Sequence, residues 1–223
     1  MKEVMLYSGG LDSVILAAMY PKAKKVYFNV NSKYSKNEIE KLPSDVIIDN
    51  TFDFSKIERD DAIVPFRNLY FVTRAIDYGS DIYLAVTSGD SIKDKDETFF
   101  TLAQQLNRHI NSSWWGYEYE PTYHYPLKKL SKAQAIRNYL DNGHSKVALL
   151  DSFSCYTPID NKQCGNCKCC VRKYASLLVN DIDSTFTFAS VPHDSEAWQN
   201  ELATSRRGVE SEDIKKAEKI ING

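Results

Sequence analysis

The run Lys2-Glu-Val-Met-Leu-Tyr-Ser-Gly-Gly-Leu-Asp-Ser13, followed by Val14-Ile-Leu-Ala-Ala-Met-Tyr20, constrains the fold more than any other stretch. A short apolar strand runs into paired glycines, and a helical segment follows until Pro21 stops it. The glycines let the backbone approach an anion closely. The N–H groups of the turn and of the helix N-terminus then bind phosphate oxygens, and Ser8 and Ser13 add hydroxyl donors. Asp12 would repel a phosphate unless it holds Mg²⁺. The chain lacks the spacing of a Walker loop. The plainer alternative is a β–α turn with an Asp/Ser cap.

The rest of the chain repeats the strand–helix alternation. Strands are expected over 25–30, 45–49 and 81–87, with a short fifth over 123–126. Helices are expected over 36–41, 68–78, 99–110 and 131–142, the last with Ser131 as N-cap and Gly143 as C-cap. This order predicts an α/β fold, a Rossmann-like parallel sheet with helices on both faces. Ligands of such sheets lie at the carboxyl ends of the strands, where Gly9 and Gly10 sit. After about residue 150 the pattern changes to cysteines, one helix over 170–179, and a polar tail with an amphipathic stretch over 211–221. Two parts are therefore expected: an α/β domain over 1–150 and a small zinc-binding helical region over 151–223.

All five cysteines lie between 155 and 170. Cys164, Cys167 and Cys170 form two C-x-x-C steps, and Cys155 lies nearby upstream. Four thiolates at about 2.3 Å complete a closed tetrahedral zinc site, which is structural in kind. Cys169 points elsewhere in that geometry. Clustered thiols of this kind read as metal ligands of a cytoplasmic protein before they read as disulfides. The N-terminus has no secretory signal pattern, and no apolar run is long enough for a membrane span. Net charge is −2, and the basic stretches (Lys22/Lys24/Lys25, Lys128/Lys129/Lys132, Arg206/Arg207) are short. Nucleic acid is accordingly not expected as the direct substrate, because backbone binding needs a basic stripe. The aromatic stretch with Trp114, Trp115, Tyr117, Tyr119, Tyr123 and Tyr125 reads as core or dimer-interface packing, and a homodimer is expected.

Ser8-Gly-Gly-Leu-Asp-Ser13 resembles the PP-loop of the N-type ATP pyrophosphatases, enzymes that split ATP between the α- and β-phosphates. Ser154-Cys155-Tyr156 followed by Cys-Gly-x-Cys-x-x-Cys resembles the zinc segment of the 7-cyano-7-deazaguanine synthase family. Val64-Pro-Phe-Arg-Asn-Leu69 and Pro126-Leu-Lys-Lys-Leu-Ser-Lys-Ala133 are similar to two further stretches of that family, in family order. The tail from about 180 onward is not covered.

The resemblance implies a ligase that joins 7-carboxy-7-deazaguanine and ammonia at the expense of ATP, with Mg²⁺, through an adenylated acid and an adenylated amide to the nitrile. It implies that Tyr7, Ser8, Gly9, Gly10, Leu11, Asp12, Ser13 and Val14 hold the nucleotide. Asp12 and Lys132 serve the chemistry, with Lys132 on the phosphates. Cys155, Cys164, Cys167 and Cys170 hold zinc. Arg67 and Asn68 hold substrate or stabilise their loop, and Asp94 matches a family acid. Two stretches depart from the family. Val30-Asn-Ser-Lys-Tyr-Ser35 replaces a Asp-Tyr-Gly-Gln-Arg-His stretch, although Glu38 keeps its distance. In Lys93-Asp-Lys-Asp-Glu-Thr-Phe99 a family arginine becomes Asp96, and this charged segment reads as a loop at the substrate end. Lys93, Lys95 and Arg67 are candidates to replace the lost cation. The alternatives are a related ligase stopping at the amide, a PP-loop tRNA-thiolating enzyme, and a zinc-knuckle interaction module on an idle nucleotide fold. Thiolation would favour a basic face and a cysteine beside the PP-loop, and the sequence shows neither.

Overall fold

The computed structural model describes residues 2–60, 63–90, 92–203 and 208–223. Arg206 and Arg207, the last basic stretch, lie outside the described residues. Five strands, β1 (Glu3–Leu6), β2 (Lys24–Phe28), β3 (Ile47–Asp49), β4 (Asp81–Tyr83) and β5 (Thr122–His124), form one sheet. The spatial order is β3-β2-β1-β4-β5 and every pairing is parallel. The order reverses direction at β1, so a crevice opens at the carboxyl ends of β1 and its neighbours.

Alternation along each strand divides the core. Met5 and Tyr83 pack with α1 (Leu11–Met19), α5 (Lys132–Asp141) and α6 (Lys146–Asp151). Val4, Val26, Phe28 and Ile82 pack on the other face with α3 (Arg67–Arg74) and α4 (Glu97–Asn111). A short α2 (Ser35–Ile39) follows β2. The Rossmann-like sheet with helices on both faces is thus observed.

A third apolar cluster lies C-terminal to the sheet. It gathers Phe153, Val171, Tyr174, Phe188, Trp198, Ile214 and Ala217 between α7 (Lys168–Leu178), α8 (Glu196–Ala203) and α9 (Gly208–Asn222). The polar tail is therefore more structured than its composition suggests, because fully buried Trp198 anchors α8. Other boundaries move for local reasons. Helix α1 begins at Leu11 because Gly10 is its N-cap and its carbonyl accepts from Val14 N–H. Strand β4 stops short of 87 because Val86 N–H turns back to the Leu84 carbonyl. Ser131 and Gln134 close a capping box on α5, as their spacing requires.

Segment 93–99 is not a loop. Lys93–Lys95 form a single 3₁₀ turn, and Asp96 is the N-cap of α4, accepting from Phe99 N–H at 2.8 Å. The residue that replaces the family arginine therefore has a local structural task. Core packing is also ruled out for the two tryptophans of the aromatic stretch: Trp114 is 95% exposed and Trp115 60%. Tyr123 is buried, and Tyr119 and Tyr125 pack against the same core.

Candidate active site and metal knuckle

The glycine turn makes a cradle at the end of β1. Gly9 has φ +73, and a Cβ on Gly10 would come within 2.9 Å of Ser154 Oγ. Gly10 N–H donates to Ser8 Oγ at 3.3 Å, and Ser13 Oγ donates to the Gly10 carbonyl at 2.8 Å. The far wall comes from the cysteine-bearing segment. Phe153 N–H donates to the Gly9 carbonyl at 2.9 Å, and Leu11 N–H donates to Ser154 Oγ at 3.3 Å. The turn thus abuts the residue next to Cys155.

Asp12 sits in the first turn of α1. Its Oδ2 is ion-paired with Lys132 Nζ from the first turn of α5, and its Oδ1 is buried with no hydrogen-bond partner. A buried carboxylate oxygen without a donor suits a cation, so the residues fit a Mg²⁺ ion here. Lys132 is one of three lysines gathered at this edge. Lys95 Nζ lies 3.1 Å from Asp90 Oδ1, and Lys128 Nζ donates to the carbonyls of Asp90 and Lys95. Burial alone would raise the Asp90 carboxyl, but Lys95 and Lys132, with the Thr87 N–H, hold it down to about 2. The edge is therefore rich in cations that can meet phosphate. Helix α9 also reaches it: buried Asp213 accepts from Ala133 N–H at 3.2 Å, beside Lys132. No sequence signal marked Asp213, because its partner lies 80 residues away.

A cavity of about 270 Å³ opens in front of the cradle. Tyr7, Ser8, Gly10, Leu11, Asp12 and Ser13 line its near side. Gly9 and Val14 are not among its lining residues, and Val14 packs into the core. Lys132 reaches the cradle through Asp12 and does not line the cavity itself. Arg67, Asn68 and Asp94 line the far side together. Asn68 Nδ2 donates to Asp94 Oδ2 at 2.9 Å, while Asp94 Oδ1 is buried without a partner. Arg67 Nη1 donates to Tyr34 OH at 3.0 Å, and Tyr34 packs on Tyr156. Of the three candidate cations, Arg67 and Lys95 line the cavity. Lys93 is turned to solvent and paired with Asp96. Glu38, which keeps its family distance in the sequence, stands on the same wall. A larger groove of about 650 Å³ involves Leu106, Ile110, Trp115 and Pro121. That groove runs between α3, α4 and the segment before β5, and shares no lining residue with the cradle.

Cys155, Cys164, Cys167 and Cys170 bring their sulfurs within 4.8 Å of one another. Tetrahedral zinc with bonds of about 2.3 Å needs sulfurs roughly 3.8 Å apart. The Cys164–Cys170 and Cys167–Cys170 pairs are 3.9 and 3.4 Å apart, so the four thiols can hold a metal ion such as zinc. Backbone N–H groups support them: Cys164 N–H donates to Cys155 Sγ and Asn166 N–H to Cys164 Sγ. Gly165 has φ +82, and a Cβ there would strike the Ser190 carbonyl, so this knuckle requires glycine. Cys167 caps α7, whose N-terminus favours thiolate. Hydrogen bonds from Cys155, then Cys169 and Cys170, hold the Cys167 thiol far below its ordinary range. Cys169 is outside the four and lines the cavity instead.

A parallel sheet with a glycine cradle at its switch point, walled by a four-thiol knuckle, defines an α/β protein with a turn shaped for an anion and a thiol set that can hold a metal ion. Comparison with known proteins narrows this class. The family model for "Queuosine biosynthesis protein QueC" matches residues 44–180, and the chain belongs to that family. A 7-cyano-7-deazaguanine synthase of Syntrophotalea carbinolica (strain DSM 2380 / NBRC 103641 / GraBd1) is 30% identical over 224 residues, covering 81% of this chain and 94% of the relative. One from Rickettsia akari (strain Hartford) is 25% identical over 229 residues, covering 84% and 99%. One from Leptospira interrogans serogroup Icterohaemorrhagiae serovar copenhageni (strain Fiocruz L1-130) is 26% identical over 209 residues, covering 76% and 84%. No solved structure matches the chain.

Proposed function

We propose that this protein is an ATP-dependent carbon–nitrogen ligase that converts 7-carboxy-7-deazaguanine and ammonia to 7-cyano-7-deazaguanine. Family membership and the names of the relatives support the substrate class and disfavour tRNA thiolation. The observation that carries the ATP chemistry is the cradle: Asp12, with one buried oxygen lacking a donor, faces Lys132 at a glycine turn.

In this reading a substrate carboxylate oxygen attacks the α-phosphorus of ATP and pyrophosphate leaves. Ammonia displaces AMP from the acyl adenylate and gives the amide. The amide oxygen attacks a second ATP, and loss of AMP and protons leaves the nitrile. The turn N–H groups, Ser8 and Ser13 hold the phosphates, and Lys132 balances charge on them. Asp12 would hold Mg²⁺, which would supply further charge neutralisation on the phosphates. Arg67, with guanidinium donors beyond its Tyr34 bond, orients the carboxylate, and Asn68 and Asp94 shape the same end. The nucleotide chemistry belongs to residues 1–150 and the structural zinc to residues 151–223. We further propose a cytoplasmic homodimer, since clustered free thiols suit a reducing compartment and an apolar face stands open at α4.

Mass spectrometry after incubation with the acid, ATP, Mg²⁺ and ammonium tests the reading. A product of nitrile mass is expected, with two AMP per product. Amide accumulation would mark the shorter reaction, and unchanged acid without AMP would refute the ligase.

A further inference from the structure

The wall of the cavity opposite the cradle holds a carboxyl group that the chemistry above leaves unused. Glu38 lines the cavity from α2. Tyr27 OH donates to its Oε2 at 2.6 Å, which uses one of about four lone-pair positions on a carboxylate. Tyr34, the N-cap of the same short helix, and Arg67, from α3, line the cavity beside it. Burial pushes this carboxyl up to about 7, with the Tyr27 hydrogen bond and Arg67 only partly offsetting it. Such a group is costly to leave ionised without donors, and the cavity side is where further donors can come from.

An ionised carboxylate only accepts hydrogen bonds, through two parallel oxygens. The pairing edge of adenine offers one amino donor beside a ring-nitrogen acceptor, whose lone pair would meet carboxylate oxygen. A 2-amino-4-oxo pyrimidine ring, as in guanine and its 7-deaza derivatives, offers two adjacent N–H donors. We propose that Glu38 is the residue that reads this two-donor edge, so that its part of the cavity takes the deazapurine and not the adenine of ATP. The inference rests on the ligase reading and deepens it, by assigning the specificity of that site to one side chain.

The test compares 7-carboxy-7-deazaguanine with its analogue lacking the 2-amino group, 7-carboxy-7-deazahypoxanthine, by AMP release. The wild-type protein is expected to lose about 100-fold or more in kcat/KM on the analogue, since it strands an acceptor. Glu38→Gln is expected to raise KM for the acid by about 10- to 100-fold, to keep the KM for ATP within about 3-fold, and to shrink the discrimination to a few-fold. In the wild type, KM for the acid rises as pH falls below about 7, because the protonated carboxyl no longer accepts both donors, and this slope disappears in Glu38→Gln. Equal use of the two acids by the wild type overturns the proposal without any variant. So does a Glu38→Gln defect confined to ATP, or discrimination that survives the substitution. Absence of acid-dependent AMP release from the wild type refutes the ligase reading itself, and the proposal with it.

Discussion

Asp12 and Asp49 are both carboxylates, but the structure uses them oppositely. Asp12 keeps one buried oxygen without a donor, whereas Asp49 spends its oxygens on the Thr51 N–H, the Tyr78 hydroxyl and Arg74 Nε. Asp12→Ala should lower AMP release by about 10³-fold. The far-ultraviolet circular dichroism should stay unchanged, because the substitution removes a charge and leaves the core intact. Near-normal release would take Asp12 out of the mechanism. Asp49 ties β3 to α3 and the turn after it. Burial alone would raise its carboxyl, but the hydrogen bonds from Thr51, Tyr78 and Arg74 outweigh burial and hold it at about 2. A depressed carboxyl contributes stability above its ordinary range of about 4, and that contribution is lost as pH falls through 2. Asp49→Asn should therefore cost about 2 kcal/mol at pH 7 in urea unfolding and flatten the stability profile between pH 4 and 2. An unchanged profile would mean that the three donors contribute nothing net.

At the scale of elements, the sheet was legible wherever an apolar run met a glycine or proline stop. All five strands lie within the expected stretches or one residue outside them, although the edge strand β3 leaves Ile47 and Ile48 exposed. Helix α8 was not legible: Trp198 is its only buried residue, and one aromatic among polar neighbours carries no period. Nor was the turn–cap unit at 93–99, whose charged residues pair locally, Lys93 with Asp96 and Lys95 with Asp90. In the site, the cradle and the thiol set were legible because their spacing is local in sequence. Asp213 was not, since its significance depends on a partner brought in by the fold, and for Glu38 the sequence showed a retained family spacing but not its Tyr27 and Arg67 neighbours. The knuckle is the element with the sharpest test. Cys164→Ser should lose the metal and lower stability by several kcal/mol, because metal binding in such a site is part of folding. Cys169→Ser should retain one zinc per chain. Inductively coupled plasma analysis of the two variants decides, and zinc loss in Cys169→Ser would overturn the ligand set.

At the scale of the molecule, an apolar face on α4 stays exposed. Leu102, Leu106 and Ile110 make a stripe on α4, and Tyr70, Trp114, Trp115 and Tyr117 flank it, each at least 41% exposed. These seven side chains offer an area on the order of the 800 Å² that a stable dimer buries per partner. Trp114, next in sequence to the groove-lining Trp115, protrudes from this face. Sedimentation velocity should find a dimer at micromolar concentration and a monomer for Leu106→Asp/Ile110→Asp; a monomeric wild type would remove the dimer. The opposite region has a different consequence. Residues 153 and 154 are stitched to the glycine turn, and the next side chain is a thiol of the knuckle. A metal in the knuckle and a nucleotide in the cradle would therefore sit at the two ends of one short tether. Linkage makes any coupling between their affinities reciprocal, and we expect a factor of about 5-fold. ATP should slow the escape of zinc to a chelator, and stripping zinc should weaken ATP by that same factor. Cellular zinc supply would then set how firmly this protein grips its energy source, long before the fold itself is at risk.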